Sequence, residues 1–212
     1  FIPKLGLGRG IYYSVFHAIS AFCNAGFDLM GYRGLYSSFT GEYDLFIVNF
    51  TIMALIIIGG IGFIVWDDIS KNKLHFKKYM LHTKIVLSVT IFLVFGGALL
   101  FYIFEKDNLF ADMSMKGKIL SALFSSVTAR TAGFNTVDTA ALTSSSKLLT
   151  IMLMFIGGSP GSTAGGIKTT TVAIMIFYMW SSLRGGSDCN IFKRRVSENT
   201  VKKAGVIISI NL

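Results

Sequence analysis

Val127-Thr128-Ala129-Arg130-Thr131-Ala132-Gly133-Phe134-Asn135 ends a short amphipathic segment on a glycine turn. The chain has already made the same move at Ser20-Ala21-Phe22-Cys23-Asn24-Ala25-Gly26-Phe27-Asp28. After each Ala-Gly-Phe comes an apolar run with an Ile-Gly-Gly break. The first is Ile58-Gly59-Gly60-Ile61-Gly62 and the second is Ile156-Gly157-Gly158-Ser159-Pro160-Gly161. The segments leading into the turns, Ile11 to Cys23 and Lys118 to Ala129, cover roughly half a bilayer each at ~1.5 Å per residue. A half-length helix, a glycine turn and a spanning helix, used twice, can line an ion path with backbone carbonyls.

Working outward, the 212 residues are 52% hydrophobic and 15% charged, with mean hydropathy +0.61. Soluble domains carry about 25% charged residues, so the composition points to a membrane. The net charge of +9 would suit nucleic acid only if spread over a surface, and it is gathered between apolar runs instead. Nucleic acid is therefore not expected as a partner. Three runs are long enough to span: Tyr43 to Val65, Ile85 to Phe104, and Leu148 to Trp180, the last interrupted between Gly157 and Gly166. Lys71, Lys73, Lys77, Lys78 and Lys84 follow the first span; Arg184, Lys193, Arg194, Arg195, Lys202 and Lys203 follow the third. Basic loops remain on the cytoplasmic side, which puts both Ala-Gly-Phe turns on the outer side. Cys23 and Cys189 then fall on opposite sides, and no disulfide is expected. The opening Phe1-Ile2-Pro3-Lys4 reads as the middle of a protein, and Ala204 to Leu212 as the start of a further span, so a fragment is expected.

Irregular backbone inside a bilayer survives only within protein or beside water. Glycine at such a turn permits φ > 0 and lets successive carbonyls point one way, where they replace the hydration shell of a cation. The candidate filter strands are Asn24, Ala25, Gly26 and Phe27, and Thr131, Ala132, Gly133 and Phe134, with the two phenylalanines packing outward as braces. A dehydrated monovalent cation would be held by the carbonyls of Gly26 and Gly133. Arg130 is read as an anchor for carbonyls or acidic groups beside the filter, off the ion path. Glycines 59, 60 and 62 are read as helix-packing positions.

The second Ile-Gly-Gly opens the run Gly157, Gly158, Ser159, Pro160, Gly161, Ser162, Thr163, Ala164, Gly165, Gly166, which cannot remain helical at low cost. At mid-bilayer, below a filter, such a loop suits a gate. Lys168 begins the lower half-helix. It either obstructs the path with the loop or bonds to nearby carbonyls and holds the break in place. The stretch Gly161 to Thr169 also comes close to the phosphate-binding pattern G-x-x-x-x-G-K-[ST]. Ile167 intervenes before Lys168, however, and would turn the lysine by about 100° on the following helix. A nucleotide-hydrolysing enzyme is thus the rival, and a non-conducting membrane scaffold a second one. The expectation is no enzyme, with His17, His75 and His82 too scattered for a metal site and His75 and His82 solvated.

Asn24-Ala25-Gly26-Phe27-Asp28, the run Thr128 to Thr136 and the run Gly157 to Lys168 together resemble the Trk/Ktr/HKT superfamily of potassium transporters, its bacterial Ktr branch above all. The resemblance implies an all-α membrane protein built of repeated helix–pore loop–helix units around one pseudo-fourfold pore. By it, residues 1–70 are the end of a second repeat and 71–83 a cytoplasmic basic loop. Residues 84–182 are a third repeat with an interrupted helix, and 183–212 a cytoplasmic loop and the start of a fourth. It implies K+ uptake through a filter gated by the loop residues Gly157, Gly158, Ser159, Gly161, Ser162, Thr163, Gly165, Gly166 and Lys168. It further implies K+ as the transported ion, Na+ as a possible activator, and no cofactor bound by this chain. The implied partners are membrane lipid, a second copy in a homodimer, and a cytoplasmic nucleotide-binding regulatory subunit of the KtrA or TrkA kind. The implied location is the cell membrane, as a multi-pass protein.

Overall fold

A computed structural model describes residues 2–34, 37–73, 75–185, 189–192 and 194–211. Lys193 of the second basic loop lies outside the described residues, as do Phe1 and Leu212. The chain is predominantly helical. Helices α1 (Ile2–Leu5) and α2 (Leu7–Phe22) lead to the first Ala-Gly-Phe turn, followed by α3 (Phe46–Ile61) and α4 (Phe63–Asn72). The basic loop leads to α5 (Leu81–Glu105), then α6 (Met115–Ala129) enters the second turn. Helices α7 (Ser144–Phe155), α8 (Thr169–Leu183) and α9 (Glu198–Asn211) complete the order. A two-residue hairpin, β1 (Asn190–Ile191) with β2 (Arg194–Arg195), joins the last two.

Local chemistry sets several of these boundaries. Ser114 accepts from the Gly117 amide at 3.1 Å and starts α6, and Thr143 accepts from the Ser146 amide at 3.3 Å and starts α7; hydroxyl side chains meet the unpaired amides of a first helical turn. Both helices into the turns are longer than expected. α2 has 16 residues and α6 has 15, because Leu7 to Gly10 and Met115 to Gly117 continue the helical pattern upstream.

The first expected span is not one straight helix. α3 stops at Ile61, Gly62 takes φ 89°, and α4 leaves at 95° to α3. The cause is long-range. A Cβ on Gly62 would lie 2.6 Å from Ser159 Oγ and 2.9 Å from the Pro160 carbonyl, and the Phe63 amide donates to the Gly161 carbonyl at 3.1 Å. The residue 156–168 segment thus seats itself in the bend. Gly62 is therefore a close-packing position, as expected, and also the point of the bend, which was not expected. Gly60, by contrast, is not tightly packed, since a Cβ there would meet nothing nearer than 3.9 Å. Gly59 does pack closely, its Cβ position falling 1.9 Å from the Phe22 carbonyl oxygen.

Among the described residues, α5 is the one unbroken helix long and apolar enough to cross a membrane. Its Ile91, Phe92, Phe95, Leu99 and Ile103 are exposed along one side, while Val86, Thr90, Val94, Gly97, Ala98 and Phe101 are buried. Such a helix wants an apolar surround outside and protein inside. Gly97 lets α6 approach: a Cβ would fall 2.4 Å from Ser126 Oγ, which donates to the Val94 carbonyl at 2.9 Å. Buried acids fasten both ends of α5. Asp68 accepts from the Met80 amide at 2.9 Å, and Glu105 accepts from the Thr143 hydroxyl at 2.7 Å. His82, expected to be solvated, is half-buried with no hydrogen-bond partner for Nε2 among the described residues, because α5 begins at Leu81 and draws it into the helix.

Candidate functional site

Ala21, Met30, Phe39, Ile52, Met53, Ile56, Val94, Leu120, Phe124, Val127, Ala132 and Phe134 form one buried cluster. It draws on α2, α3, α5, α6, the second turn and the loop that follows the first, so the second Ala-Gly-Phe packs against the chain on either side of the first. The turns themselves touch. A Cβ on Gly26 would stand 1.9 Å from the Ala132 carbonyl oxygen and 3.3 Å from Gly133 Cα. Thr131 Oγ1 donates to Asn24 Oδ1 at 2.9 Å. The chain after the second turn is also clamped to the chain after the first, the Phe39 amide donating to the Asn135 carbonyl at 2.8 Å.

Each turn leaves its helix with carbonyls to spare. The Ala25 amide reaches back to the Ser20 carbonyl at 2.9 Å, and the amides of Thr131, Ala132 and Gly133 all converge on the Thr128 carbonyl. Gly26 and Gly133 take φ 73° and 87°, a region L side chains rarely enter. Among the described residues, no donor reaches the carbonyls of Asn24, Ala25, Gly26, Thr131, Ala132 or Gly133. The carbonyls of Phe27 and Phe134 differ: Ser20 Oγ and Thr128 Oγ1 donate to them, each at 2.8 Å. A hydroxyl on the parent helix thus pins the far end of each turn.

The two phenylalanines do not behave alike. Phe134 is fully buried, its ring 5.4 Å from Phe39 and 6.5 Å from His17. Phe27 is 70% exposed and braces nothing in the described chain. The partners of Phe134 come from α2 and the loop beyond the first turn, and no described segment stands in that relation to Phe27. Arg130 is buried, but its Nε has no partner among the described residues. The expected anchoring of carbonyls or acidic groups is therefore not made within them. It lines a cavity of about 380 Å³ behind the second turn, together with Thr136, whose buried hydroxyl is likewise unpartnered among the described residues.

Between α7 and α8 the chain is irregular from Ile156 to Lys168. The Gly157 amide donates to the Ile167 carbonyl at 3.0 Å and the Gly158 amide to the Gly165 carbonyl at 3.2 Å, so the ends of the segment lie side by side. Gly157 is required by that approach, since its Cβ would be 1.8 Å from the Gly165 oxygen. The middle of the segment docks on the bend. The Ser159 amide donates to the Gly60 carbonyl at 2.9 Å, the Thr163 amide to the Gly59 carbonyl at 3.2 Å, and Ser159 Oγ to the Ile61 carbonyl. Ser162 Oγ folds back on the Ser159 carbonyl at 2.7 Å. Lys168 Nζ donates to the Ala164 carbonyl at 2.7 Å, which offsets an unfavourable place for a cation at a helix start.

This geometry does not suit a phosphate cradle. A helix precedes the segment where a strand is needed, and the amides of 157, 158, 159, 163, 164, 167 and 169 are already donated. Outside the membrane-like helices, Arg33 pairs with the buried Glu42 at 3.1 Å. Its partial burial opposes the charge, but the Tyr32 hydroxyl and the Glu42 carboxylate outweigh that and raise its pKa. Burial pushes the Cys189 thiol up; Cys189 and the exposed Cys23 are both free.

Sequence reasoning found the turns and the loop but missed the hydroxyl pins of Ser20 and Thr128, the docking partners Gly59, Gly60 and Ile61, and the close approach at Gly97. The pins carried a signal: a hydroxyl residue six or seven positions before each turn phenylalanine.

Residues 6–209 match the TrkH family, described as cation transport protein. The chain is 41% identical to the potassium/sodium uptake protein NtpJ of Enterococcus hirae, an alignment covering 100% of this chain and 46% of that protein. It is 38% identical to the Ktr system potassium uptake protein B of Vibrio alginolyticus, over 99% of this chain and 46% of that one. The crystal structure of the potassium transporter TrkH from Vibrio parahaemolyticus shares the fold, with TM-score 0.77 at 19% identity over 93% of this chain and 42% of that one. The chain thus spans a little under half the length of the relatives it matches. With nearly all its residues inside the match, it belongs to the TrkH family of cation transport proteins.

Proposed function

We propose that this chain is part of the membrane subunit of a monovalent-cation uptake system, with K+ as the transported ion and Na+ as a second ion that is carried or activates. The observation that carries the reading is the contact of the two glycine turns, with six adjacent carbonyls that meet no donor. Such carbonyls, inside an apolar protein, favour a dehydrated cation over an empty site. The filter is formed by Asn24, Ala25 and Gly26 from one strand and Thr131, Ala132 and Gly133 from the other. Phe27 and Phe134 contribute mainly as strand ends, since their carbonyls already accept hydroxyls. The naming of NtpJ and the Ktr protein as uptake proteins supports the ion class.

The residue 156–168 segment is the gate, held shut by its contacts with Gly59, Gly60 and Ile61, with Lys168 stabilising the loop rather than reaching for the ion. Residues 1–70 and 84–182 are two successive helix–pore loop–helix units, joined by the cytoplasmic loop 71–83, and 183–212 leads into a third. Further units close the ring around the ion. α4, turned away from α3, lies along the membrane surface, and the protein crosses the cell membrane several times. A second copy and a nucleotide-binding regulatory subunit on the basic cytoplasmic face complete the system. The 95° bend between α3 and α4 supports an α4 that does not continue the crossing.

Expression in a bacterium lacking its own K+ uptake, of this chain alone and with the coding sequence that flanks it, tests the reading. Rubidium accumulation and growth at low K+ are expected from the longer form. A bulky residue at Gly133 is expected to abolish both. A correctly inserted longer form that accumulates no alkali cation would leave the scaffold reading in its place.

A further inference from the structure

Resting on that reading of filter and gate, we infer that Thr163 and Asn24 form a hydrogen-bonded relay through which the gate segment sets the shape of the first filter strand. Asn24 Nδ2 donates to Thr163 Oγ1 at 3.0 Å, and Thr163 Oγ1 donates in turn to the Phe22 carbonyl at 2.8 Å. On its other side Asn24 Oδ1 accepts from Thr131 Oγ1 at 2.9 Å. A second bond from Nδ2 reaches the Ile56 carbonyl at 3.2 Å. One buried amide therefore joins the gate segment, the end of α2, α3 and the second filter strand.

The arrangement matters because Asn24 is also where the first strand leaves its helix. It holds φ 52°, outside glycine's usual monopoly of that region, and Asn tolerates the conformation better than most residues. Its side-chain bonds fix which way the following carbonyls face. Thr163 is itself carried by the gate segment, through its amide on the Gly59 carbonyl at 3.2 Å. If the segment withdraws from the bend at Gly62, Thr163 leaves with it. Asn24 then loses an acceptor, and the Phe22 carbonyl at the end of α2 loses the shorter of its two side-chain donors, keeping only Asn24 Nδ2 at 3.4 Å. Both strands keep their hydroxyl pins at the phenylalanines, but the first relaxes at its Asn24 end. Ion preference consequently depends on the state of the gate, and Thr163 is a positioning residue for the filter.

The test uses the transporting form of the protein and reads the ratio of K+ to Na+ uptake and the KM for K+, with membrane content measured by immunoblot. Thr163→Val retains the shape and removes both bonds. It is expected to lower the ratio about tenfold, the scale of one buried hydrogen bond, with KM rising more than kcat falls. Thr163→Ser should restore the ratio to within about twofold of wild type, as one hydroxyl serves both bonds. Thr131→Val leaves every gate contact intact and breaks the far end of the relay. Its effect should fail to multiply with that of Thr163→Val, because both act through Asn24. An unchanged ratio in Thr163→Val, or in Thr131→Val if the former does not reach the membrane, overturns the relay and leaves the transporter reading standing. Multiplying effects overturn it too. Absence of alkali-cation uptake by the wild type would sink both readings together.

Discussion

At the first Ala-Gly-Phe the backbone leaves α2 through Asn24 in a left-handed conformation, held by three other segments. At the second it leaves α6 through Thr131, and three amides in a row fall on the single carbonyl of Thr128. Both turns are tied to their own helices; the first adds long-range side-chain bonds through Asn24, the second a buried ring. Equal sequence thus conceals unequal support. The strand with distant partners can respond to events elsewhere, while the locally tied strand stays as it is.

The strongest way to break this comparison is at the two glycines. Gly26→Ala puts a methyl 1.9 Å from the Ala132 oxygen on top of an unfavourable φ, and backbone oxygen cannot step aside. Rubidium uptake is expected to vanish. Gly133→Ala meets only Gly26 Cα at 3.9 Å and carries the backbone cost alone, about 1–2 kcal/mol, so reduced but measurable uptake should remain. Equal loss in both would show that the strands are supported alike.

Next in size are the phenylalanines. Phe134→Ala empties a fully buried site and should cost about 3–5 kcal/mol in thermal unfolding of the purified chain. Phe27→Ala, at a largely exposed site, should remain within about 0.5 kcal/mol in the same measurement. The hydroxyl pins follow. Ser20→Ala and Thr128→Val should each cost about 1 kcal/mol, and the similarity of the two values would mark the feature the turns do share. The smallest effect is on reactivity: a maleimide should label Cys23 well before the buried Cys189, whose thiolate fraction its surroundings reduce, read by mass shift against time.

Much of this could be seen in the residues. The apolar run of α5 and the glycine-rich break between α7 and α8 are local signals, and each marks its element to within a few residues. The bend at Gly62 was not visible. Ile58 to Val65 reads as continuous apolar helix, and what bends it is Ser159 and Gly161, almost a hundred positions later. The one hint was the amphipathic Trp66-Asp67-Asp68, which suits a surface better than the end of a span. The unequal surroundings of Phe27 and Phe134 were hidden for the same reason, since identical tripeptides carry no information about what packs on them. Arg130 likewise announced a buried charge without naming a partner.

The bend in α3–α4 and the docked loop also bear on how the protein is made. The Ile61 carbonyl finds the Ser159 hydroxyl 98 residues further along, and the Phe63 amide waits for Gly161. At ribosomal rates of about 5–20 residues per second, the polar corner at Gly62 is without these partners for roughly 5–20 s after it emerges. Until then its polar groups need water or other shelter, so the α3–α4 corner cannot reach its final form before the 156–168 segment has been translated.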